Sequence, residues 1–182
     1  MVQEIEIESI ARAIEAVLFA TGETMSIARL AQIVDVPETQ IEKALLHLKD
    51  RLVQSGSALT LESVAGGFKL FSLPAYHSYI EKAKKTRRKA LSPAALETLA
   101  IIAWRHKENS PVRRAEIESL RGISCGEHIR ALMEAGLVRV VGRDPARGRA
   151  LLYGTTKKFL ELFGIKSLEE LPDVSSLRLE SE

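Results

Sequence analysis

The sequence predicts a mainly helical α+β protein, because one order of elements occurs twice along its 182 residues. In each half, apolar residues at helical spacing mark three amphipathic helices, and two short apolar stretches around glycine then mark a β-hairpin. Hydrophobic residues make up 46% of the chain, so a buried core can form. Three helices and a hairpin, with a tight turn between the last two helices, are typical of a winged helix-turn-helix domain. We therefore expect two tandem winged helix-turn-helix domains.

Residues 1–73 are predicted to form the N-terminal domain. Gly22 is expected to end the first helix of this domain. Pro37 fits the start of the third helix, because the backbone N–H that proline lacks would have no hydrogen-bond acceptor within the helix there. The pair Gly66-Gly67 supplies the positive φ angles of a tight turn between two strands. The apolar positions that define the three helices are Ile10, Ile14, Val17, Leu18, Ile27, Leu30, Ala31, Val34, Ile41, Ala44, Leu45, Leu48 and Leu52. The strands are expected at 58–64 and 68–72.

Residues 74–90 are predicted to be a basic helical linker. Pro74 can start a helix, and the run from Lys82 to Lys89 carries six positive charges and no negative one. A solvated linker helix explains such a run without any partner, whereas a contact with a phosphate backbone would use the charges. The sequence leaves both interpretations open.

Residues 91–156 are predicted to form the C-terminal domain. Ser92 can accept a hydrogen bond from a free amide of the first helical turn, which Pro93 begins. Gly122 and Gly136 are expected to end the second and third helices, since glycine adopts the left-handed conformation found at helix ends. The later helices and the wing strands are expected at 113–120, 124–135, 137–141 and 150–153. The residues expected to face inward are Leu96, Leu99, Ala100, Ala103, Ala115, Ile117, Leu120, Ile129, Leu132 and Met133.

A helical extension is predicted over residues 157–172, followed by a disordered tail over residues 173–182. Thr156 can cap a short helix that Gly164 closes. Ser167 has a glutamate three residues further on, which is the spacing of a capping box. The tail is polar and short of aromatic residues, as terminal segments without fixed structure commonly are.

Composition and charge exclude several classes of protein. The single cysteine, Cys125, excludes an intrachain disulfide. The N-terminus is acidic and no apolar run approaches the ~20 residues of a membrane helix, so neither a secretory signal nor a membrane span is predicted. Residues 1–80 carry 6 Lys and Arg against 10 Asp and Glu, whereas residues 81–182 carry 20 against 14. We expect a cytoplasmic protein whose two domains present surfaces of opposite charge.

The sequence contains no recognisable motif for a catalytic, cofactor-binding or metal site. Phosphate-binding glycine motifs are absent, and the four histidines stand singly, without the spacing of a metal site. Cys125 and His128 lie three residues apart near a helix start, where the pKa of a cysteine can be lowered. A catalytic pair would need a third group to orient the histidine, and none is nearby. We predict no catalytic, cofactor-binding or metal site and keep a thiol enzyme at Cys125 as a minor alternative.

The helices that a winged-helix protein would place in the major groove of DNA carry carboxylates. In the C-terminal domain the outward face shows Glu127, Arg130 and Glu134, and in the N-terminal domain it includes Leu46 and Val53. Base recognition favours Arg, Lys, Asn and Gln, and phosphates repel carboxylates. An apolar spot at Leu46 and Val53 suits a protein contact, although single exposed aliphatic residues are common.

The first helix of the C-terminal domain is apolar nearly all round. Ile101 lies roughly opposite its expected buried face, and Trp104 lies on the flank between. A helix of this kind needs cover on its second face as well. The cover is either the linker or tail helix, which we favour, or a partner protein.

Several motifs match one family in order and spacing. They are Leu91–Ala103, Arg114–Glu118, Arg121-Gly122, Gly142-Arg143, Gly148-Arg149, Leu152–Thr156 and Phe163-Gly164. With them the chain resembles the bacterial segregation and condensation protein B (ScpB) family, densely from Leu91 to Pro172 and more loosely from Ile10 to Ser72. The resemblance implies a non-enzymatic condensin subunit. Such proteins dimerise, largely through the N-terminal winged helix, and clasp the central part of the kleisin ScpA, which bridges the SMC ATPase heads.

Two departures from the family pattern lie near the second helix and the wing. Six residues separate Trp104 from Pro111, where the family usually has an aromatic residue followed closely by Gln-Pro, so a longer turn is expected. Arg113 stands where a capping Thr is usual, and Ala150 replaces the proline that commonly follows the Gly-Arg of the wing.

The predicted function is that of a dimeric, nucleoid-associated scaffold that binds ScpA and reaches SMC through it, in chromosome condensation and partition. The alternative is a DNA-binding winged-helix transcriptional regulator that uses the basic linker and the wing arginines Arg143, Arg147 and Arg149. Any DNA contact of the scaffold itself is expected to be weak and non-specific. The residues predicted to contact the partner are Ile101, Trp104, Arg114, Arg121 and Arg130.

Overall fold

The computed structural model describes residues 2–83, 91–146 and 148–172. The tail predicted to be disordered, residues 84–90 of the basic linker and Arg147 lie outside the described residues. The chain divides after Arg87 into two compact units. Each unit contains helices and a small antiparallel sheet, so the chain is a mixed α and β protein that is mostly helical, as the sequence predicts.

The described part of the first unit has three helices, a hairpin and a further short helix. The helices are α1 (Val2–Thr21), α2 (Ile27–Val34) and α3 (Glu38–Gln54). The hairpin consists of β1 (Leu59–Val64) and β2 (Gly67–Ser72). A 3-10 turn at Pro74–Tyr76 and helix α4 (His77–Ala83) follow.

Local hydrogen bonds and one close approach position these elements. The Ser26 hydroxyl accepts the backbone N–H of Arg29 (3.2 Å) and so caps α2. Gly67 lets the hairpin approach Met25, because a Cβ atom there would lie 2.5 Å from the Met25 carbonyl oxygen. Met25 and Phe68 exchange two backbone hydrogen bonds, of 3.0 and 2.8 Å, across this contact. The hairpin is therefore fixed to the connection between α1 and α2.

One apolar cluster fills the space between α1, α2, α3 and β1. Its large, fully buried members include Ile14, Leu18, Leu30, Ile41 and Leu48. All five stand at positions that helical spacing predicts to face inward. The amphipathic pattern that defines the helices therefore also defines the core of the first unit.

The described part of the second unit has four helices and a three-stranded antiparallel sheet. The helices are α5 (Pro93–Lys107), α6 (Arg114–Arg121), α7 (Gly126–Glu134) and α8 (Lys157–Phe163). The strands β3 (Val112–Arg113), β4 (Val138–Arg143) and β5 (Leu151–Thr155) pair in the order β3-β5-β4. A 3-10 turn spans Leu168–Glu170.

Three predicted helix signals of the second unit are confirmed. The Ser92 hydroxyl accepts the backbone N–H of Ala95 (3.2 Å) at the start of α5. The Thr156 hydroxyl accepts the backbone N–H of Phe159 (3.3 Å) at the start of α8. Gly164 ends α8 with a left-handed φ of 68°. Each signal depends only on residues that are close together in the chain.

Three details of the backbone differ from the prediction. The positive φ angles of the first hairpin turn occur at Ala65 (50°) and Gly66 (73°), and not at Gly67, which begins β2. No sequence pattern predicts β3, which has only two residues and exists through its pairing of Val112 with Tyr153. The capping box predicted at Ser167 is wrong, since the Ser167 hydroxyl donates to Glu169. The glutamate three residues after Ser167 instead accepts the backbone N–H of Lys166 (2.8 Å).

Five apolar residues predicted to face inward are exposed: Leu96, Ala100, Ala115, Leu120 and Met133. Leu96 is 45%, Leu120 63% and Met133 40% exposed. On α5 the buried face is centred on Leu99 and Ile102, and Leu96 lies beside it. The apolar residues that helical spacing identifies form a stripe more than about 100° wide along the helix surface. The core covers only part of that stripe, so residues at its edges remain exposed.

Candidate functional site

Helix α5 has one buried face and one partly open apolar face. The buried face consists of Ala95, Thr98, Leu99, Ile102 and Ala103. The second face borders α8 and the segment after it, and together they form a cavity of about 350 Å³, named here the C-terminal groove. The groove is lined by Leu96, Leu99, Ala100, Ala103, Trp104, Phe159, Phe163, Leu171 and Pro172.

Specific contacts hold the walls of the C-terminal groove together. Phe159 is buried, and its ring centroid lies 4.7 Å from that of Phe163. Lys107 Nζ donates to the carbonyl oxygen of Leu171 (2.6 Å), which fixes the segment after α8 against the end of α5. Leu96 and Phe163 remain exposed at the rim. Helix α8 therefore lies over the face of α5 that carries Leu96, Ala100 and Ala103, which the sequence predicts to be buried. The sequence predicts a cover by the linker or tail helix for the opposite face, and Ile101 of that face does not line the groove.

The structure places the two predicted anchors of α5 on different parts of its surface. Trp104 is half-buried and lines the C-terminal groove, with the Arg105 guanidinium 5.9 Å from the centre of its ring system. Ile101 is also half-buried, but it packs against the core cluster of the second unit and does not line the groove. The two side chains are three residues apart on α5 and are therefore neighbours on its surface, but only Trp104 borders the groove.

Arg121 is enclosed by neighbouring elements of the second unit. Its side chain is only 5% exposed. The guanidinium donates to Thr98 Oγ1 (2.8 Å) and to Glu97 (2.8 Å), and it lies 3.2 Å from His128 Nδ1. These contacts join the end of α6 to α5 and α7. Arg121 therefore holds helices together and offers little of its charge to a partner.

Arg114 and Arg130 point outward, and each is paired within its own helix. Arg114 Nε donates to Glu118 (2.7 Å), and Arg130 Nε donates to Glu134 (3.0 Å). The Arg114 guanidinium also lies over Gly126, where a Cβ atom would come within 3.0 Å of it. Helical surface pairs contribute only ~0.3–0.5 kcal/mol, so a carboxylate of a partner can replace the intrahelical one at small cost.

Cys125 has the surroundings of a structural residue. Its side chain is buried, and burial raises the pKa of the thiol. The neighbouring Glu118 carboxylate adds to that rise while it accepts the backbone N–H of Cys125 (3.0 Å). His128 Nδ1 faces Arg121. A nucleophilic cysteine needs a lowered pKa and an adjacent base, so this geometry argues against a thiol enzyme.

Metal-binding clusters and membrane-spanning helices are absent from the described part of the chain. Among residues 2–83, 91–146 and 148–172, no group of three or more His, Cys, Asp or Glu side chains is placed to hold a metal ion. Within those same ranges, no helix has both the length and the apolar run that crossing a bilayer requires. Helix α1 has 20 residues, but charged side chains interrupt it.

In the first unit, one carboxylate joins α1 to α3. Glu8 accepts hydrogen bonds from Arg12 (2.6 Å) and Arg51 (2.9 Å), and His47 Nε2 lies 2.5 Å from it. These partners, Arg12 foremost, lower the pKa of Glu8 to about 2. Arg51 also pairs with Glu15. Helices α1 and α3 are therefore joined by ion pairs as well as by apolar packing.

Exposed apolar side chains occur on α1 and α3. Leu46 and Val53 are 65% and 74% exposed, where the sequence predicts an apolar spot. Phe19 is 73% exposed, although no sequence pattern singles it out as an outward-facing residue. Phe19 directly follows Val17 and Leu18. In a continuous run of apolar residues, the sequence does not distinguish the residue that faces outward from those that face the core. All three exposed residues are candidates for a protein contact.

The outward face of α7 and the β4–β5 hairpin differ in charge. Helix α7 exposes the carboxylates of Glu127 and Glu134, as the sequence predicts. The hairpin exposes Arg139, Arg143 and Arg149. Phosphate contacts are therefore favoured at the hairpin, whereas base contacts through α7 are disfavoured.

The chain is similar to one family of proteins along most of its length. The family model for the segregation and condensation complex subunit ScpB matches residues 12–174. The segregation and condensation protein B of Moorella thermoacetica is 38% identical, over 96% of this chain and 88% of that protein. Its counterpart from Geobacillus thermodenitrificans is 41% identical, over 87% of this chain and 75% of that protein. A solved dimer of an ScpB N-terminal domain complexed with an ScpA peptide is 22% identical, covers 43% of this chain and 98% of that one, and has a TM-score of 0.40.

Proposed function

Because the chain belongs to the family of the segregation and condensation complex subunit ScpB, we propose that it is a non-enzymatic subunit of the bacterial SMC condensin complex. In this role it forms a homodimer, binds the kleisin ScpA and reaches SMC through ScpA. It acts in the cytoplasm, on the nucleoid, in chromosome condensation and segregation, and it requires no cofactor. The family match supports this function, and the apolar surfaces described above suit a scaffold.

Each unit is proposed to be a winged helix-turn-helix domain. Both units have three helices followed by a hairpin. In both, a short extended segment between the first two helices pairs with the last hairpin strand, at Met25 with Phe68 and at Val112 with Tyr153. This shared feature supports a tandem repeat. The proposed boundaries are 1–73 for the dimerising N-terminal domain, 74–90 for the linker, 91–156 for the C-terminal domain, 157–172 for its helical extension and 173–182 for the tail.

The observation that carries the partner-binding proposal is the second apolar face of α5. A kleisin segment that is flexible when free needs apolar anchors to offset the entropy lost when it becomes ordered. Aromatic side chains concentrate binding energy at interfaces. Trp104, at the C-terminal groove, is therefore assigned as the main anchor, and Ile101, three residues before it on α5, as a second one.

The three arginines have different roles in this proposal. Arg114 and Arg130 can exchange their intrahelical carboxylates for those of an acidic partner segment and so fix its register. Arg121 acts indirectly, because its enclosed guanidinium keeps α5 in place against α6 and α7. It is a positioning residue.

Trp104→Ala tests the main anchor. Truncating an interface hot spot costs ~2 kcal/mol or more, so the Kd for ScpA is expected to rise on the order of 30-fold. Titration calorimetry with purified ScpA measures the change, and thermal unfolding shows that the variant is folded. Leu120→Ala, at an exposed apolar position of α6 outside the groove, is the matched control and should keep the parental Kd. A folded Trp104→Ala variant with parental affinity would remove Trp104 as an anchor.

Ile101→Asp tests the second anchor, and Ile101→Ala accompanies it because a buried charge can unfold the domain. Both variants are expected to bind ScpA more weakly. If a folded variant binds as tightly as the parent, Ile101 is not an anchor. If the variants at Ile101 and Trp104 all bind normally, the partner surface lies elsewhere, and the exposed residues Leu46 and Val53 become the next candidates.

A DNA-binding winged-helix regulator is the second candidate function, and the basic β4–β5 hairpin favours it. The affinity for a random duplex is expected to be weak and to fall steeply between about 50 and 200 mM salt, since each phosphate contact releases a counterion. Arg143→Ser should reduce that salt dependence, whereas Arg130→Ser on α7 should not. A footprint that protects one specific sequence would instead support the regulator.

A further inference from the structure

We propose that His106 is a proton-sensitive clamp, which holds β5 and the start of α8 against the end of α5 while its ring is neutral and releases them when the ring takes up a proton in mild acid. The clamp lies within the second unit, so it depends neither on the proposed binding of ScpA nor on a second copy of the chain.

The backbone of β5 dictates which nitrogen of His106 carries the proton. Nδ1 accepts the backbone N–H of Thr155 at 3.2 Å, and the Thr155 hydroxyl lies 2.8 Å from the same nitrogen. A backbone N–H can only donate, so Nδ1 presents its lone pair and the proton of the neutral ring is on Nε2. A cationic imidazole carries a hydrogen on both nitrogens. The bond between His106 and the backbone of β5 therefore exists only for the neutral ring.

Protonation of Nδ1 leaves one polar group of Thr155 without a partner. The hydroxyl can turn and accept a hydrogen bond from the new Nδ1–H, but the backbone N–H cannot. Thr155 is only 4% exposed, so water does not readily replace the lost acceptor. A buried donor without a partner is destabilising. The protonated ring therefore favours a state in which Thr155 has moved away from α5.

Gly154, the residue before Thr155, lets the ring lie directly against β5. A Cβ atom on Gly154 would lie 3.1 Å from both Cδ2 and Nε2 of His106, and 2.9 Å from Cγ1 of Val141. A glycine inside a strand commonly marks such a close approach. The imidazole is therefore packed between the end of α5 and the sheet, where burial opposes a positive charge.

The charge that acts on His106 opposes its protonation as well. Burial lowers the pKa of His106 below the usual 6.5, and the positive charge of Arg139 on β4 lowers the pKa further. On β5 the only ionisable side chain is that of Tyr153, which packs against the core cluster of the second unit. The surroundings of the ring and its bond to Thr155 therefore favour the same neutral form.

Other charged side chains on the elements around His106 are engaged by groups of their own. They lie beside His106 on α5, on β3 and at the end of β4. The contacts are those of Arg105 with Glu108, Lys107 with the Leu171 carbonyl, Arg113 with Glu116 and Asp144, and Arg143 with the Arg149 carbonyl.

Thr155 connects the clamp to α8. The hydroxyl of the next residue, Thr156, accepts the backbone N–H of Phe159 at the start of α8 and donates to the Gly136 carbonyl (2.6 Å). Phe159 and Phe163, on α8, line the C-terminal groove. Movement of Thr155 away from α5 therefore loosens the start of α8 and, with it, one wall of the groove.

Linkage gives the direction and the range of the pH effect. Because the pKa of His106 is lower in the folded protein than in the unfolded chain, the unfolded chain binds this proton first as the pH falls. The stabilisation is fully present above pH 6.5 and is lost progressively below it. The folding equilibrium constant of the second unit is expected to fall up to about tenfold for each pH unit, until the folded ring itself takes up the proton.

His106→Asn tests the clamp in the full chain. The asparagine side chain offers an oxygen that can accept the Thr155 N–H, but it does not titrate. Urea unfolding of the second unit is followed by the fluorescence of Trp104, the only tryptophan of the chain. Between about pH 7.5 and about pH 5.5, the folding constant of the parent is expected to fall up to about tenfold more than that of the variant. His77→Asn, at an exposed position of α4, is the matched control and should keep the parental pH dependence.

NMR spectroscopy of the parent distinguishes a clamp from a contact that is only structural. The ring nitrogens of His106 should show the tautomer with the proton on Nε2 at neutral pH. The amide signal of Thr155 should shift with the same midpoint as the His106 ring. Below that midpoint, the protection of the Thr155 and Phe159 amides against hydrogen exchange should fall.

Circular dichroism at neutral pH shows whether His106→Asn is folded, and if it is not, the NMR titration of the parent decides alone. A His106 ring with the proton on Nδ1 at neutral pH, or a midpoint at or above 6.5 in the folded protein, would overturn the proposal. So would equal pH dependence of the parent and a folded His106→Asn variant. A Thr155 amide that does not follow the ring would also overturn it, because β5 would then stay in place when His106 is protonated.

Discussion

Glu8 joins α1 to α3 through its contacts with Arg12, His47 and Arg51. Because these groups favour the carboxylate, the pKa of Glu8 is lowered from 4.5 to about 2. As the pH falls, the unfolded chain therefore binds a proton at Glu8 before the folded protein does. The stabilisation is fully present above pH 4.5 and is lost as the pH falls toward about 2.

Glu8→Gln is expected to weaken the pH dependence of stability in acid. Between about pH 6 and about pH 3, the urea midpoint of the parent should fall more than that of the variant, because glutamine has no proton to gain. Glu6→Gln, at an exposed position of the same helix, is the control and should keep the parental slope. Equal slopes for the parent and Glu8→Gln would show that this network does not contribute.

The β1–β2 hairpin meets the connection between α1 and α2 at Gly67. A Cβ atom there would lie 2.5 Å from the Met25 carbonyl oxygen and 2.7 Å from the carbonyl carbon, and both are backbone atoms. A side chain therefore requires the two segments to separate. Gly142, in β4 of the second unit, offers a comparison, because the nearest atom to its Cβ position is 3.7 Å away.

Gly67→Ala is expected to lower the free energy of unfolding by about 1–3 kcal/mol, the usual range for a substitution that creates a clash. The Gly142→Ala control should stay within about 0.5 kcal/mol of the parent, as uncrowded surface positions do. Urea unfolding followed by circular dichroism measures both. If Gly67→Ala is as stable as the parent, the contact between Met25 and the hairpin does not constrain the first unit.

The complete chain combines two units of opposite net charge, each with exposed apolar residues. The acidic first unit exposes Leu46 and Val53 on α3, and the basic second unit exposes the rim of the C-terminal groove. A homodimer is the commonest symmetric assembly, and a small apolar patch on each copy suits one. The proposed division of labour assigns dimerisation to the first unit and ScpA binding to the second.

Leu46→Glu combined with Val53→Glu is therefore expected to convert the proposed dimer to a monomer, because like charges would meet across its two-fold axis. Analytical ultracentrifugation at concentrations on the order of tens of micromolar distinguishes the two states. Leu120→Glu, in the second unit, is the control and should remain dimeric. A parent chain that is monomeric at these concentrations would contradict the dimer, and a dimeric double variant would move the interface elsewhere, for example to the β1–β2 hairpin.

Interactions between residues a few positions apart determine where several helices of this protein begin and end, whatever its tertiary structure. The hydroxyl caps at Ser92 and Thr156 and the left-handed glycines Gly122 and Gly164 are where the sequence predicts them. Such signals are local, because a cap or a turn involves only neighbouring backbone groups. The resemblance to the ScpB family likewise came from short motifs, and the match over residues 12–174 confirms it.

Contacts between residues far apart in the chain decided the rest. His106 Nδ1 accepts the backbone N–H of Thr155 (3.2 Å), 49 residues further on, and this contact ties β5 to the end of α5. No local pattern indicates that pairing, the two-residue strand β3 or the enclosure of Arg121. The same holds for the C-terminal groove, whose walls come from α5 and from residues 159–172. Helical spacing identifies the apolar residues of α5, but the neighbour that covers each face depends on where the rest of the chain folds back.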